Sequence, residues 1–275
     1  MKENFKKFKI GYIHFIKKTV FIFRVKSSSI FYPKKFQTLY FLDDNKFYSN
    51  EYVQHLKNIE TIENIINEAN LVLVNKFQTL GSGLVNLGDK INWHQDFKSS
   101  RIWKKEFYTK IDSKHSINGS DIKIPWELSR FHQAQWLAKA FLISNDEIYA
   151  EKFFELLSHW IDENPFCYGV NWNCAMEVAI RAVNWIFALH IFKLSKYFSN
   201  EIKEKIYKSL YQHGLFIRNN LEFGRRNGNH YLSDLMGLIW LGAFFFNHSF
   251  GKKWFRFAQK ELEKENQIQV YDDGV

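Results

Sequence analysis

From Trp126 to the end of the chain, apolar residues recur every three or four positions, and the pattern predicts a series of helices. Leu128, Phe131, Trp136, Leu137, Ala140 and Phe141 keep that spacing across Glu127–Ile143. Ser144-Asn145-Asp146-Glu147 then has the S-x-x-E spacing of a capping box. It predicts a second helix running to Glu163, where Asn164-Pro165 stops it. Further helices are predicted over 172–196, 200–220, 230–247 and 251–267, separated by Gly, Asn or Ser. Several of these are apolar around most of their circumference, so both faces must be covered. Short links imply antiparallel neighbours. A double ring of helix hairpins meets both demands better than a four-helix bundle does.

The chain before Trp126 is patterned differently. One helix is predicted over Val53–Ala69, followed by a long polar connection holding Gly81, Gly83, Gly88 and Gly119. Connections of that length are usually functional, and this one is expected to drape over a groove rim. Residues 1–50 are rich in β-branched and aromatic residues and predict short strands or irregular packing segments. At the other end, residues 267–275 read as an exit from a helix into a strand or turn, and the expectation is that the chain is cut short there.

Composition sharpens this picture. With 275 residues and 46% hydrophobic residues, the chain can bury a large core. Its aromatic content of 18% exceeds what a core needs; codon usage that also favours Lys, Asn and Ile accounts for part, and rings for stacking on sugars for the rest. The net charge of +9 sits wholly in residues 1–36, where nine Lys and one Arg face the single Glu3. Attachment to nucleic acid or an anionic membrane would have to use that arm, because the body is electrically balanced. Cys167 and Cys174, seven apart with no C-x-x-C, read as two small buried thiols in preference to a disulfide. The apolar stretch Ile10–Phe23 is broken by His14, Lys17 and Lys18 and makes a poor signal peptide. Leu235–Phe246 is too short to span a bilayer, so no membrane span is expected.

Four polar clusters lie beside aromatic residues: Asn92-Trp93-His94-Gln95-Asp96; Ile124-Pro125-Trp126-Glu127-Leu128-Ser129-Arg130; Asn171-Trp172-Asn173 with Glu177 and Arg181; and Gly224-Arg225-Arg226-Asn227-Gly228-Asn229-His230. Asn173, Glu177 and Arg181 recur every fourth residue and form one polar stripe on an apolar helix. That stripe is either an ordinary surface Glu–Arg pair or a face that needs a wet cavity or buried partners. Asn229 and His230 fall where a helix begins. Unpaired N–H groups and the positive dipole end there favour a carboxylate or developing oxyanion. An ordinary Asn cap beside an exposed His is the plainer alternative. No H-E-x-x-H, P-loop, G-x-G-x-x-G or G-x-S-x-G motif occurs, so no metal or cofactor is expected. Glu127 and Glu177 are candidate paired carboxylates for a glycosidase, although each has an arginine three or four residues on that could pair with it.

Taken in order, D-I-K-I-P-W-E-L-S-R-F (121–131), N-W-N-C-A-M-E-V-A-I-R-A-V-N-W (171–185) and G-N-H (228–230) resemble heparinase II/III family proteins, with L-G to N-W-H-Q-D (80–96) fitting the lead-in. The resemblance implies an all-α fold: an incomplete (α/α) toroid of antiparallel hairpins over 51–275, behind a small irregular or β segment over 1–50. In the family an antiparallel β-sandwich normally follows, and it is missing from this sequence. Family enzymes cleave uronic-acid-containing polysaccharides by β-elimination. An Asn quiets the uronate carboxylate, while a Tyr, aided by His, moves protons. Asn229 and His230 match the Asn and its companion; His94, Trp126, Glu127, Arg130, Asn171, Trp172, Glu177, Arg181 and Arg226 would line or brace the substrate groove. The catalytic Tyr of the family follows a short D-G-[V/G] segment, which here is Asp273-Gly274-Val275, and Tyr271 does not match it. The expectation is therefore a lyase part inactive by itself, with a non-catalytic glycan-binding or scaffold protein of polysaccharide biosynthesis as the alternative. Its implied partner is an acidic polysaccharide and not nucleic acid. The family implies the periplasm, whereas the lack of a clear signal peptide leaves the cytoplasm open; oligomeric state is not readable.

Overall fold

The computed structural model describes residues 15–41, 50–79, 81–113, 118–224 and 227–270. Ten helices are seen among these residues: α1 (15–26), α2 (Asn50–Ile59), α3 (Ile62–Leu73), α4 (Lys123–Ser129), α5 (Gln133–Ser144), α6 (Glu147–Glu163), α7 (Ala175–Phe192), α8 (Asn200–Asn219), α9 (Asn229–Phe244) and α10 (Ser249–Gln269). One antiparallel hairpin, β1 (Lys76–Thr79) with β2 (Gly83–Asn86), interrupts the long polar connection.

Two expected helices break in their interiors and a third starts from a different cap, each for a local reason. The helix expected over Val53–Ala69 is two, because the Thr61 hydroxyl accepts the Asn64 N–H at 3.2 Å and starts α3 afresh. The helix expected over Glu127–Ile143 breaks between α4 and α5 at Phe131, whose φ of 63° no helix accommodates. Its ring is fully buried, stacked on Trp93 at 5.4 Å and edge-on to Trp185. The cap of α6 is Asp146, which accepts the Ile148 N–H at 3.0 Å. Ser144 instead closes α5, its hydroxyl donating to the Ala140 carbonyl at 2.8 Å. The stop at Glu163 is where the Asn-Pro pair predicts it.

Successive helices pack as hairpins, α5 with α6, α7 with α8 and α9 with α10. Helices α5, α7 and α9 also lie side by side as one layer, and α6 touches α8 in the layer behind. This double layer of hairpins is an incomplete (α/α) toroid. Helix α7 is flanked by α5 and α9 and backed by α8, which is why it can be apolar all round. By length and composition it could cross a membrane, with mean hydropathy 1.4, yet 78% of it is buried inside the protein. Helices α7 and α9 approach closely at Gly237, where a Cβ would stand 2.6 Å from the Ala179 Cβ.

Within the basic segment, 15–26 is helical and 29–41 is irregular, with no strand among its described residues. This part is bound to the body. Phe21 and Phe36 are buried, Phe21 against Phe216 and Phe36 against Tyr211 and Phe245. The Leu39 N–H donates to the Phe244 carbonyl at 2.7 Å, and the Phe41 N–H to His190 Nε2 at 3.0 Å.

Candidate functional site

Helix α7 begins where two loops converge, and its first turns carry the polar stripe. Glu177 is 1% exposed and Arg181 fully buried, so the stripe is not a surface pair. Nor do the two pair with each other. Glu177 takes a two-point bond from Arg130, Nε to Oε2 at 2.6 Å and Nη2 to Oε1 at 2.7 Å. The left-handed residue Phe131 ends α4 immediately after Arg130 and separates this side chain from α5. The carboxylate beside it holds the Arg130 guanidinium more firmly protonated than usual. Since Glu177 is spent on Arg130, it is not half of an opposed pair with Glu127. Glu127 is half-buried on α4, and its charge also acts on Arg130.

One turn deeper, Arg181 is enclosed by rings and carbonyls. Its guanidinium lies 4.2 Å from the Trp160 ring centre and 5.5 Å from that of Trp172. Nη2 donates to the Asn171 carbonyl at 3.1 Å, and Nε donates to His213 Nε2 at 2.9 Å. That bond makes Nε2 the acceptor and leaves Nδ1–H to donate to the Ser209 carbonyl at 2.7 Å. Burial and the adjacent Arg181 hold His213 well below its ordinary pKa, hence neutral. Burial also pushes Arg181 down to about 9, which leaves it charged at neutral pH. The Asn171 amide nitrogen donates to the Trp93 carbonyl and to Asn164 Oδ1, both at 2.8 Å, and Trp172 Nε1 donates to the Asn164 carbonyl at 3.2 Å. Asn171, Trp172, Glu177 and Arg181 are therefore walled in, and of the expected lining-or-bracing roles they have the geometry of bracing.

The start of α9 joins this wall through a residue that the motifs did not single out, Glu222. His230 Nδ1 lies 3.2 Å from Glu222 Oε1, while Glu222 Oε2 accepts the Met176 N–H at 2.8 Å in the first turn of α7. Cys174 Sγ is 3.4 Å from the same oxygen. The Glu222 N–H donates to Asp234 Oδ2 at 2.7 Å. Asp234 is fully buried, and burial pushes its pKa up to about 8. Asn229 is exposed on the first residue of α9, and His230 beside it is half-buried. His230, Glu222, Glu177 and Arg130 thus form one polar track from the mouth of α9 along the start of α7. The track continues through Asn184, which donates to the Arg130 carbonyl at 2.8 Å and accepts from Gln135 at 3.0 Å. There it meets a cleft of about 240 Å³ between α5, α7 and α9, lined by Gln135, Lys139, Asn184, Phe187 and Trp240 among others. Lys139 in this cleft is paired with Glu60 Oε2 at 2.9 Å and lies over the Trp136 ring at 4.4 Å.

Other expected residues lie elsewhere. Trp126 is half-buried and its Nε1 donates to the Val170 carbonyl at 2.8 Å, at the edge of the wall. His94 is buried against Gly169, with Nε2 3.0 Å from the Glu163 carbonyl, and burial depresses its pKa. It shares the Asn171 bridge only through its neighbour Trp93. Arg226 and residues 271–275 lie outside the described residues. Both cysteines are buried and free, as expected. Of the residues missed, Asp234 did carry a signal, being the one acid in the apolar run of α9. Glu222 carried none, since it precedes His230 across an irregular loop that has no period.

A family model described as heparinase II/III N-terminus matches residues 28–275. A heparin-sulfate lyase of Bacteroides stercoris is 25% identical over 175 residues, which are 56% of this chain and 26% of that protein. One from Bacteroides thetaiotaomicron is 27% identical over 154 residues, 53% of this chain and 21% of that protein. The chain thus spans only a minor part of the length of these relatives. Among solved structures, heparan sulfate lyase HepC from Pedobacter heparinus superposes with a TM-score of 0.64 at 20% identity, over 99% of this chain and 38% of that one. A heparinase III gene product gives 0.63 at 22%, over 79% and 33%. These two share the fold. With the toroid, the ordered motifs and a match across 28–275 in agreement, the chain belongs to the heparinase II/III family and corresponds to the N-terminal part of its polysaccharide lyases.

Proposed function

We propose that this chain supplies the glycan-binding and charge-neutralising part of a lyase that cleaves a uronate polymer by β-elimination. Heparan sulfate, named for the related lyases, is the first substrate to test. The observation that carries the reading is an exposed Asn229 at the mouth of the 16-residue helix α9, beside a His230 pinned through Glu222 to the start of α7. A uronate carboxylate placed there would accept from the Asn229 amide and from N–H groups of the first turn. Withdrawing its negative charge makes the α-carbanion at C5 reachable, because fixed donors need no reorganisation as charge develops. When His230 donates from Nδ1 to Glu222, its Nε2 is the acceptor left for the sugar. The cleft beside Trp240 and Lys139 would hold the neighbouring sugars. Proton removal by tyrosine falls to the position that the family places after Asp273-Gly274-Val275.

The test is to join residues 1–275 to the tyrosine-bearing segment and β-sandwich of a related lyase and incubate the product with heparan sulfate and other uronate polymers, reading the ultraviolet absorbance of the 4,5-unsaturated product. Absorbance should rise, and Asn229→Ala should lower kcat about 100–1,000-fold, the range for losing one such donor. Affinity without cleavage would favour the glycan-binding alternative. Neither affinity nor absorbance with any uronate polymer would sink the proposal.

A further inference from the structure

We propose that Cys174, Glu222 and His230 form a binding site for one divalent ion of the zinc class. Among the described residues, the thiol, a carboxylate oxygen and an imidazole nitrogen of this trio lie within 4.8 Å of one another. Glu222 Oε1 stands 3.7 Å from Cys174 Sγ and 3.2 Å from His230 Nδ1. A tetrahedral zinc ion with ordinary bond lengths to thiolate, carboxylate and imidazole has S···O and N···O edges of about 3.5 Å and about 3.3 Å. Two edges of the coordination tetrahedron are therefore already drawn. The third, from Sγ to Nδ1, closes by a turn of the His230 ring, whose side chain is 45% exposed.

The donor set selects the ion. Calcium and magnesium take oxygen ligands, whereas sulfur with imidazole and one carboxylate suits a borderline-soft ion. The carboxylate is aimed before any ion arrives, with Oε2 held by the Met176 N–H and the Glu222 backbone N–H held by Asp234. Cys174 is the N-cap of the 18-residue α7, and burial with the adjacent Glu222 carboxylate keeps its thiol protonated, so the ion itself must displace the proton. Coordination breaks the S–H bond and forms an S–metal bond, the proton leaving to solvent; the imidazole binds through a neutral nitrogen, and nothing is oxidised. Glu222 and His230 are both partly exposed, so the fourth ligand position opens toward solvent. This site stands independently of the glycan reading, because its test reads the metal and not the sugar.

The experiment titrates the whole 275-residue chain, stripped with chelator, with cobalt(II) as the spectroscopic stand-in and then with zinc to displace it. One equivalent of cobalt should give a thiolate-to-cobalt charge-transfer band together with the intense visible bands of a tetrahedral ion. Cys174→Ser should abolish the charge-transfer band, while Cys167→Ser retains it. His230→Ala, at a half-exposed position where folding is not at risk, should weaken cobalt binding at least as much as Asp234→Asn. The latter removes only the buried brace of Glu222 and should cost about 10-fold. No charge-transfer band at one equivalent, a band that survives Cys174→Ser, or affinity unchanged in His230→Ala would each overturn the proposal.

Discussion

At the residue scale, the polar stripe of α7 shows what the sequence could and could not convey. The spacing of Asn173, Glu177 and Arg181 was legible as one face of one helix. Their partners were not, because Arg130, His213 and Glu222 arrive from other segments and no periodicity spans those distances. The outcome has an energetic consequence. Arg130 is the direct counter-charge of a Glu177 side chain that is only 2% exposed, so removing it strands a buried carboxylate. Arg130→Leu is expected to destabilise the fold by about 3–5 kcal/mol. The double variant Arg130→Leu, Glu177→Leu should recover much of that loss, since no unpaired charge remains. Urea unfolding of both proteins checks this; equal midpoints for the wild type and Arg130→Leu would mean that the pair contributes nothing.

At the element scale, the helices from α6 onward were readable because apolar periodicity is a local property. Two breaks escaped it. Thr61 restarts a helix through a cap that also fits a helix interior, and Phe131 adopts a positive φ that its residue type gives no reason to expect. The slot among Trp93, Trp160 and Trp185 explains Phe131, and that slot exists only once four segments have met. Packing likewise decides the fate of Gly237 on α9. Alanine is the better helix former by about 1 kcal/mol. Its Cβ, however, would lie 2.9 Å from the Ala179 Cα and closer still to the Ala179 Cβ. Gly237→Ala is therefore expected to lower stability by about 1–3 kcal/mol, as overpacking does. A higher denaturation midpoint would show that α7 and α9 have room to part.

At the scale of the whole molecule, charge and packing give different boundaries. The excess of positive charge ends by residue 36, whereas the core takes in Phe21 and Phe36 and the family match begins at residue 28. Deleting residues 1–41 should thus do more than reduce salt-dependent binding. It uncovers Phe216, Tyr211, Phe244 and Phe245, and the shortened chain should aggregate or melt well below the full one. An unchanged melting temperature with a monodisperse product would show the segment to be a mere appendage. The tryptophans divide at this scale between core and rim. Trp93, Trp160, Trp172 and Trp185 are fully buried, while Trp126, Trp136 and Trp240 are only partly covered. Helix α7, finally, is both the driest strut of the molecule and the back of its wet face. Whatever occupies the mouth of α9 grips the same strut that the core is built around, through Glu222 and the Met176 N–H. An occupant would then confer heat resistance on the entire domain, about 2.7 kcal/mol at a hundredfold excess over its dissociation constant, in place of merely calming a loop.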